Sequence, residues 1–354
     1  MAETTEEKGV QKYVVSTDRS GDIHVHVQGD LSQQDKRCVF LTVHDLGTNH
    51  SSLIDFVNCP AMSEIKERSC FIHVDVPGHE ENSPDLPDSY QFPPLQTLGE
   101  DLITVLDFLH VRYAVGLGEG AGANVLARCG LAHPRRLLGL ILVNCTASTS
   151  SVADAFRSRF SRWRGADISQ SEEDFLIYHK FGHVSLEQDL HLDFSYQQMS
   201  SDSSDAAERE RMLAEYRSRL RGNLNTHNIK QYVKAFINRK DLVLRGCQPD
   251  ILLITGMLSP YSTVIEKMYK ELDKERVTIL KVERAGDVLA EVPAKIAQSL
   301  LLFCQGQGLL TSLPPPGVER RMSRAMSMEE YDKPNIRRLS LTPSVSESPP
   351  HRKL

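Results

Sequence analysis

Short, continuous apolar runs recur along the first 145 residues of the chain, and amphipathic stretches separate them. The runs occupy 39–43, 71–74, 113–117 and 137–143. Runs of this length predict strands that are buried on both faces of a sheet. Between the second and third runs, one face of a predicted helix carries Leu98, Leu102, Leu106 and Leu109, and a second helix is predicted over 121–132. This alternation predicts the α/β class, with a mostly parallel central sheet flanked by helices.

The alternation stops after residue 145 and returns near residue 249. Between them the pattern is helical, with one apolar stripe at Phe156, Phe160 and Trp163 and another at Met212, Leu213, Tyr216 and Leu220. Strand and helix then alternate again at 251–255, 262–272, 277–282 and 293–304. We therefore predict an α/β core of 13–145 and 249–306, with 146–248 inserted as a helical cap over the carboxyl edge of the sheet.

The two ends of the chain differ from this core in composition. The first nine residues are polar and acidic, and 1–12 are predicted to form a flexible N-terminus. Residues 307–354 are rich in Ser, Pro and Arg, which predicts a disordered tail. The tail carries eight Lys/Arg against five Asp/Glu, or +3, so the net charge of −6 leaves −9 on the rest of the chain. An acidic body argues against nucleic-acid binding.

The overall composition is that of a soluble globular protein. Of 354 residues, 40% are hydrophobic and 25% are charged. No apolar run approaches the roughly 18 residues that span a bilayer, and the polar N-terminus does not resemble a secretory signal. The seven cysteines include no C-x-x-C pair. They predict reduced thiols in a cytoplasmic protein, with no disulfides and no metal or other cofactor.

A glycine-rich turn, Gly118-Glu119-Gly120-Ala121-Gly122, joins the third apolar run to the helix that follows it. Strand, tight turn and helix in this order resemble the nucleophile elbow of α/β-hydrolases, whose pattern is G-x-S-x-G. The elbow lifts a nucleophilic side chain toward the substrate, and the next backbone N–H helps to bind the oxyanion. Gly120 stands at the nucleophile's position and has no side chain. The sequence therefore predicts the turn without the nucleophile.

Two other loops extend this resemblance. H-D-x-G-x-N-H covers 44–50, and H-V-D-x-P-G covers 73–78. Together with G-x-G-x-G-A-G-A at 116–123, these motifs are similar to those of the N-myc downstream-regulated (NDRG) family over about residues 10–310. The resemblance implies an α/β-hydrolase fold without hydrolase activity, used in stress response, differentiation and trafficking.

The other two triad positions of such a fold also depart from the catalytic pattern. The triad acid normally follows the penultimate strand as G-x-x-D, whereas the corresponding 256–259 ends in Ser259. The base normally follows the last strand as G-H, whereas Gly286 is followed by Asp287. We therefore expect no catalytic residues, with vacated triad positions at Gly120, Ser259 and Asp287.

Carboxylates at the same sheet edge leave a second function open. Asp45, Asp75 and Asp287 all follow predicted strands, and paired carboxylates perform acid–base catalysis when their pKa values differ. The alternative is a cryptic hydrolase whose water is activated by Asp75 or Asp287. Histidines lie near this edge too, but no metal-binding spacing relates them, and hydrogen bonds within loops are expected instead. They are His44, His50, His73 and His79.

The glycine turn also matches a dinucleotide-binding fingerprint, G-x-G-x-x-A over 118–123. That site requires an acidic residue about 20 residues further along the chain, where Asn144 stands instead. The turn also follows a late strand, whereas the fingerprint normally follows the first. The sequence therefore favours no nucleotide cofactor.

Arginines in the cap raise a third function, contact with an anionic membrane surface. Arg157, Arg159, Arg162 and Arg164 flank the first aromatic stripe of the cap. They do not form a single helical face, so packing of the stripe against the sheet is favoured. A membrane-surface trafficking factor stays an alternative. The densely charged helix predicted over 208–221 is expected to present a solvated face.

Serines follow arginines at a regular spacing in the tail. Ser323, Ser327 and Ser340 each lie three residues after an Arg, as basophilic kinases require, while Thr342 and Ser348 each precede a Pro. Each phosphate adds about 1.5 to 2 negative charges, so three would more than cancel the positive charge of the tail. The sequence thus predicts a non-enzymatic cytoplasmic signalling or adaptor protein. It would bind proteins through its cap and tail, and phosphorylation of the tail would regulate it.

Overall fold

A single sheet forms the centre of the residues that the structure, a computed structural model, describes: 9–148, 168–182 and 203–314. Its strands are β1 (Val10–Thr17), β2 (Gly21–Gln28), β3 (Cys38–Val43), β4 (Ser69–Asp75), β5 (Ala114–Glu119), β6 (Leu137–Val143), β7 (Asp250–Gly256) and β8 (Val277–Val282). They lie in the order β1-β2-β4-β3-β5-β6-β7-β8. The pairs β1–β2 and β2–β4 are antiparallel, and the remaining pairs are parallel.

Helices lie between and after the strands. Up to β6 they are α1 (His50–Asn58), α2 (Ser63–Glu67), α3 (Leu95–Phe108) and α4 (Gly120–Ala132). Between β6 and β7 they are α5 (Gln170–Phe181), α6 (Ser203–Gly222) and α7 (Thr226–Ile237). From β7 onward they are α8 (Ser262–Lys270), α9 (Val288–Glu291) and α10 (Pro293–Gly306). Among the described residues, no helix combines the length and the apolar character that crossing a bilayer requires.

Alternate residues of the central strands face two different cores. In β3, Leu41 packs into one cluster of buried side chains and Phe40 into the other, and every residue of β3 and β4 is buried. Burial of apolar surface stabilises a fold by about 25 cal/mol per Å², and strands buried on both faces therefore have unbroken apolar sequences. The predicted class, a mostly parallel sheet flanked by helices, is confirmed.

The hairpin of β1 and β2 was not predicted. The prediction of a flexible N-terminus over 1–12 is wrong for its last three residues. Val10, Gln11 and Lys12 belong to β1 and pair with β2. β1 lies at the edge of the sheet, and several of its side chains are exposed. It therefore lacks the continuous apolar run by which the central strands are identified.

The start of the predicted tail is also wrong. Leu309, Leu310 and Leu313 are buried in the same core as Phe40. The Gln305 side-chain amide donates to the carbonyl oxygen of Leu313 at 2.8 Å. Residues 307–354 are rich in Ser, Pro and Arg on average. Three leucines hardly change that average, so an argument from composition could not predict their burial. The candidate phosphorylation sites from 323 onward lie outside the described residues, as do the arginines of 157–164.

Three helices, α5, α6 and α7, lie within the predicted cap. Leu213, Tyr216 and Leu220 of α6 are buried, as the predicted apolar stripe requires. Arg217 and Arg221, on another face of α6, donate to the buried carboxylate of Glu173 in α5 at 3.1 and 2.7 Å. These contacts join α6 to α5, which is the helix that enters the site described next.

Candidate functional site

The carboxyl ends of the parallel strands bring the predicted site residues to one edge of the sheet. Loops at the ends of β3, β4, β5, β7 and β8 carry Asp45, Asp75, Gly120, Ser259 and Asp287. This edge is where α/β proteins usually bind ligands. The sequence-based expectation that these residues share an edge therefore agrees with the topology.

The tight turn at Gly120 is present, and it needs its glycines. β5 ends at Glu119, and α4 begins at Gly120 with φ of +50°, a conformation that L side chains rarely adopt. A Cβ on Gly118 would lie 2.8 Å from the backbone nitrogen of Ala123, and one on Gly122 would overlap the Val43 carbonyl group. The glycines therefore allow α4 to pack directly against the ends of β3 and β5.

The Asp45 carboxylate fills the space above this turn. Its Oδ1 atom accepts the backbone N–H of Leu46 at 2.7 Å and that of Ala121 at 2.8 Å. A Cβ on Gly120 would overlap the same carboxylate. In α/β-hydrolases the residue after the nucleophile and the loop after the third strand donate the N–H groups of the oxyanion hole. The Asp45 carboxylate therefore lies where the side chain of a nucleophile would lie. It also accepts the hydrogen bonds that an oxyanion would accept.

His179, from cap helix α5, holds the Asp45 carboxylate from the other side. Its Nε2 atom lies 2.9 Å from each carboxylate oxygen, and its Nδ1 atom hydrogen-bonds the Tyr261 hydroxyl. All three side chains are buried. Burial raises the pKa of Asp45, but His179 and Lys180 outweigh that effect and lower the pKa to about 2. Asp45 is therefore a carboxylate across the physiological pH range.

Lys180, the next residue of α5, occupies the adjacent space with its ammonium group. Nζ lies 2.9 Å from both Glu119 carboxylate oxygens and 3.0 Å from Asp287 Oδ2. All three side chains are buried. Burial lowers the pKa of Lys180, but Asp287 and Glu119 outweigh it and raise the pKa above its ordinary value. Burial also raises the pKa of Glu119, which lies close to two other carboxylates. The Lys180 ammonium group is thus bound by two carboxyl groups of the site.

Aromatic side chains of the cap cover the loop after β3. Tyr216 of α6 and Tyr232 of α7 donate to the carbonyl oxygens of Leu46 and His44, each at 3.4 Å. Both tyrosines are buried, and a Cβ on Gly47 would overlap the Tyr216 hydroxyl. The cap therefore contacts the oxyanion loop directly.

Ser259 and Asp287, which the sequence predicts to stand at the other two triad positions, make local hydrogen bonds. The Ser259 hydroxyl accepts the Tyr261 N–H at 3.3 Å within the turn after β7. Asp287 caps α9 by accepting the Ala290 N–H at 3.3 Å, and Glu291 accepts the Asp287 N–H at 3.0 Å. The two hydrogen bonds satisfy backbone N–H groups at the start of this short helix. Asp287 is thus held by a helix terminus as well as by Lys180.

A second polar cluster surrounds Asp75 at the end of β4. Oδ2 of Asp75 lies 2.7 Å from His50 Nδ1 and 3.1 Å from His26 Nε2, while Oδ1 accepts the His50 backbone N–H at 2.6 Å. The two imidazole rings stack with centroids 3.4 Å apart. Burial raises the pKa of Asp75, but the hydrogen bonds from His26 and His50 outweigh it and hold the pKa well below its ordinary value. We call His26, His50 and Asp75 the imidazole cluster.

The other three histidines of the predicted edge make separate contacts. His44 Nδ1 lies 2.8 Å from the Asp45 carbonyl oxygen, while its Nε2 accepts the Val76 N–H at 3.2 Å, which places the proton on Nδ1. His73 Nδ1 is 2.8 Å from the Thr42 hydroxyl, and His79 Nδ1 is 3.1 Å from the Pro77 carbonyl. Burial lowers the pKa of His44, and it lowers the pKa of His73 and of His79 to about 3. Only His50 of the four predicted histidines joins the imidazole cluster.

Sequence reasoning missed His26, His179 and Lys180. His26 is a fully buried polar residue in a strand whose neighbours are apolar. His179 and Lys180 interrupt the apolar stretch 175–181 of α5, and both are buried. A histidine or lysine inside an apolar stretch is the sequence feature that could have identified these residues. Such a side chain, once buried, needs a hydrogen-bonding or charged partner.

Comparison with known proteins identifies the family and the fold of the chain. The sequence profile of the Ndr family matches residues 13–311. A Caenorhabditis elegans protein named "Uncharacterized protein ZK1073.1" is 36% identical over 342 residues, covering 95% of this chain and 96% of that protein. Protein NDRG3 of Xenopus laevis is 30% identical over 321 residues, covering 87% of this chain and 78% of that protein.

Solved structures of hydrolases share the fold. An esterase from Thermogutta terrifontis matches with a TM-score of 0.61 at 16% identity, over 84% of this chain and 98% of that chain. A hydrolase from Pseudomonas aeruginosa PA01 matches with a TM-score of 0.59 at 17% identity, over 82% of this chain and 97% of that chain. These similarities identify the α/β-hydrolase fold, and the sequence relationship is more specific: the chain belongs to the Ndr family.

Proposed function

We propose that this chain is a non-enzymatic protein of the NDRG type, a cytoplasmic signalling or adaptor protein that contacts partner proteins through its cap and its tail. The observation that carries the proposal is the position of Asp45. Its carboxylate already accepts the N–H groups of Leu46 and Ala121. Hydrolysis of an ester needs such donors free for the charge that develops in the transition state. A fixed negative charge there repels a second one.

The pairing of the other groups supports the same proposal. His179 is bound to Asp45 and Tyr261, and Lys180 is bound to Glu119 and Asp287. A site whose charges are satisfied by its own side chains gains little from binding a substrate, because each contact with a ligand must first break an internal one. The cap then serves as a surface for partners, in stress-response, differentiation and trafficking roles of the kind that the family implies.

Regulation through the tail is part of the proposal. A basophilic kinase would act on Ser323, Ser327 and Ser340, and a proline-directed kinase on Thr342 and Ser348. Three phosphates, at about 1.5 to 2 negative charges each, reverse the +3 of 307–354. The attraction of the tail to the acidic body would then become repulsion. Incubating the full chain with each kinase class, and then the variant with all five sites changed to Ala, tests this part.

The cryptic-hydrolase alternative requires a water activated by Asp75 or Asp287. Asp75 is fully buried and is bound by His50 through both oxygens. Asp287 is 2% exposed and is bound by Lys180 and Ala290. Neither carboxylate presents an oxygen to solvent, which favours the non-enzymatic function. The membrane-surface alternative rests on Arg157, Arg159, Arg162 and Arg164, which lie outside the described residues.

Ester turnover by the full chain tests the proposal. Purified protein is incubated with a series of acyl esters and with a fluorophosphonate probe, alongside an active serine esterase at the same concentration. We expect neither turnover nor labelling. Turnover that Asp75→Asn or Asp287→Asn abolishes would support the cryptic hydrolase. Labelling of one serine together with turnover would mean that a nucleophile lies elsewhere in the site.

A further inference from the structure

We propose that the imidazole cluster, His26, His50 and Asp75, is a binding site for one divalent transition-metal ion, with Zn²⁺ as the best match. The three residues come from β2, from the first turn of α1 and from the end of β4. They share no side chain with the group formed by Asp45, His179 and Lys180, and the inference does not depend on the proposed function.

The ligand atoms already lie close to the spacing that zinc requires. His26 Nε2, His50 Nδ1 and a carboxylate oxygen of Asp75 all lie within 4.8 Å of one another. Oδ2 of Asp75 is 3.1 Å from the first nitrogen and 2.7 Å from the second. In a tetrahedral zinc site with bonds of about 2.0–2.1 Å, neighbouring ligand atoms are about 3.3 Å apart. The three ligand atoms are therefore close enough together for one ion to contact all of them once one ring has tilted.

The donor types select the metal. Two imidazoles and one carboxylate, with a fourth position for water, form a common zinc ligand set. Mg²⁺ and Ca²⁺ prefer oxygen ligands throughout. Imidazole also suits the other late first-row metals, so Co²⁺ serves as a visible probe of the same site.

Contacts behind the ligands hold the carboxylate in position. Oδ1 of Asp75 accepts the His50 backbone N–H at 2.6 Å, so Oδ2 is the oxygen that faces the imidazoles. Asp75 is fully buried, His26 is 1% exposed and His50 is 4% exposed. Fixed ligands and hydrogen-bonded carboxylates are typical of metal sites.

The electrostatics favour a bound cation. In the part of the chain that the structure describes, the basic side chains within 4.0 Å of the Asp75 carboxylate are imidazoles: His26, His50 and, at 4.0 Å, His44. Two imidazolium rings stacked 3.4 Å apart would repel each other. A divalent ion would balance the Asp75 charge while both imidazoles stay neutral, which is the form that binds metal.

One structural change accompanies binding. The two rings are parallel to within 10°, so their in-plane lone pairs do not point at a common position. One ring must tilt, and the protons now donated to Asp75 Oδ2 must move to the other ring nitrogens. The bound ion would then join β2, α1 and β4, and it would raise the thermal stability of the folded chain.

Cobalt titration of the metal-free full chain tests the site. We expect one Co²⁺ per chain, a visible absorption spectrum typical of tetrahedral coordination, and displacement by one equivalent of Zn²⁺. His26→Gln and His50→Gln should weaken binding by more than the about 10- to 100-fold that loss of an outer-shell partner causes. His24→Gln is the matched control, because His24 lies two residues from His26 on β2 and faces Glu80 at 3.7 Å. It should bind Co²⁺ as the wild type does.

Crystals of the wild-type chain soaked in Zn²⁺ keep the proposal testable if either variant fails to fold. We expect one anomalous peak at bonding distance from His26 Nε2, His50 Nδ1 and Asp75. Peaks only at other histidines would overturn the proposal. So would Co²⁺ binding that His26→Gln and His50→Gln leave unchanged, or no binding at millimolar Co²⁺ and Zn²⁺.

Discussion

The Asp45 carboxylate accepts the backbone N–H of Ala121 at 2.8 Å, directly over the glycine turn where a hydrolase carries its nucleophile. The lack of a side chain at Gly120 and the hydrogen bond from Ala121 to Asp45 are therefore linked. With only a hydrogen at Gly120, the carboxylate has room, and any Cβ there would overlap it. His179 completes the arrangement by pairing with the same carboxylate.

Gly120→Ala should destabilise the fold more than the same change at a left-handed glycine in open space. Its φ of +50° strains an L residue, and its Cβ would overlap a buried, hydrogen-bonded carboxylate. Gly246 is the matched control, because its φ is +80° and a Cβ there would meet no atom within 4 Å beyond its own residue and its two chain neighbours. Gly246→Ala should lower the free energy of unfolding by about 1 kcal/mol. Gly120→Ala should lower it by about 2 kcal/mol more. Urea unfolding measures both, and equal losses would contradict the overlap.

Lys180→Met should lower the free energy of unfolding by about 3–5 kcal/mol at neutral pH, because it leaves the Asp287 carboxylate buried without its cation. Lys281→Met is the control. Lys281 pairs with Glu266 at 2.9 Å, but both side chains are more than a third exposed, so its loss should cost at most about 1 kcal/mol. The difference in free energy of unfolding between the wild type and Lys180→Met should become smaller as the pH falls, because protonation of the buried carboxylates removes the unpaired charge. A loss as small as that of the control would mean that the pair is not buried.

Stability should fall as the pH drops from 6.5 toward 4. Burial lowers the pKa of His73 and of His79 to about 3, from an ordinary value of 6.5. In this range the histidines of the unfolded chain bind protons, while the two buried histidines of the folded chain do not. Each of the two therefore lowers the free energy of unfolding by about 1.4 kcal/mol per pH unit. His79→Leu should reduce the slope by that amount. His110→Asn removes an exposed histidine and should leave the slope unchanged. Chemical unfolding at each pH, with a chelator present, gives the slopes.

Much of the fold could be predicted because its strands are buried on both faces. The unbroken apolar runs of β3, β4 and β6 identify them directly, and the glycine spacing at 118–122 predicts the turn into α4. The edge strand β1 has no such run, since solvent covers part of it. The buried leucines after residue 308 could not be predicted from composition, because the stretch that contains them is polar on average.

The site was predictable only in part, because half of it comes from distant segments. Gly120 and Asp45 follow strands and could be placed at one edge from the sequence. His179 reaches Asp45 across 134 positions of sequence, and that contact depends on how α5 packs. An imidazole beside the elbow was therefore not predicted. Loops after strands can be located by pattern, whereas the docking of a cap helix cannot.

Fluorophosphonate labelling of four proteins tests the central claim most directly: the wild type, Gly120→Ser, Asp45→Gly and the double variant. We predict labelling of the double variant alone. Only that protein has both a hydroxyl at the elbow and free N–H groups at Leu46 and Ala121. The His179 imidazole, which lies 2.9 Å from the Asp45 carboxylate in the wild type, is the base that we expect to accept the proton. Adding His179→Gln to the double variant should reduce the labelling rate. Labelling of the wild type at this site, or equal labelling of Gly120→Ser and the double variant, would contradict the claim that Asp45 fills the oxyanion hole.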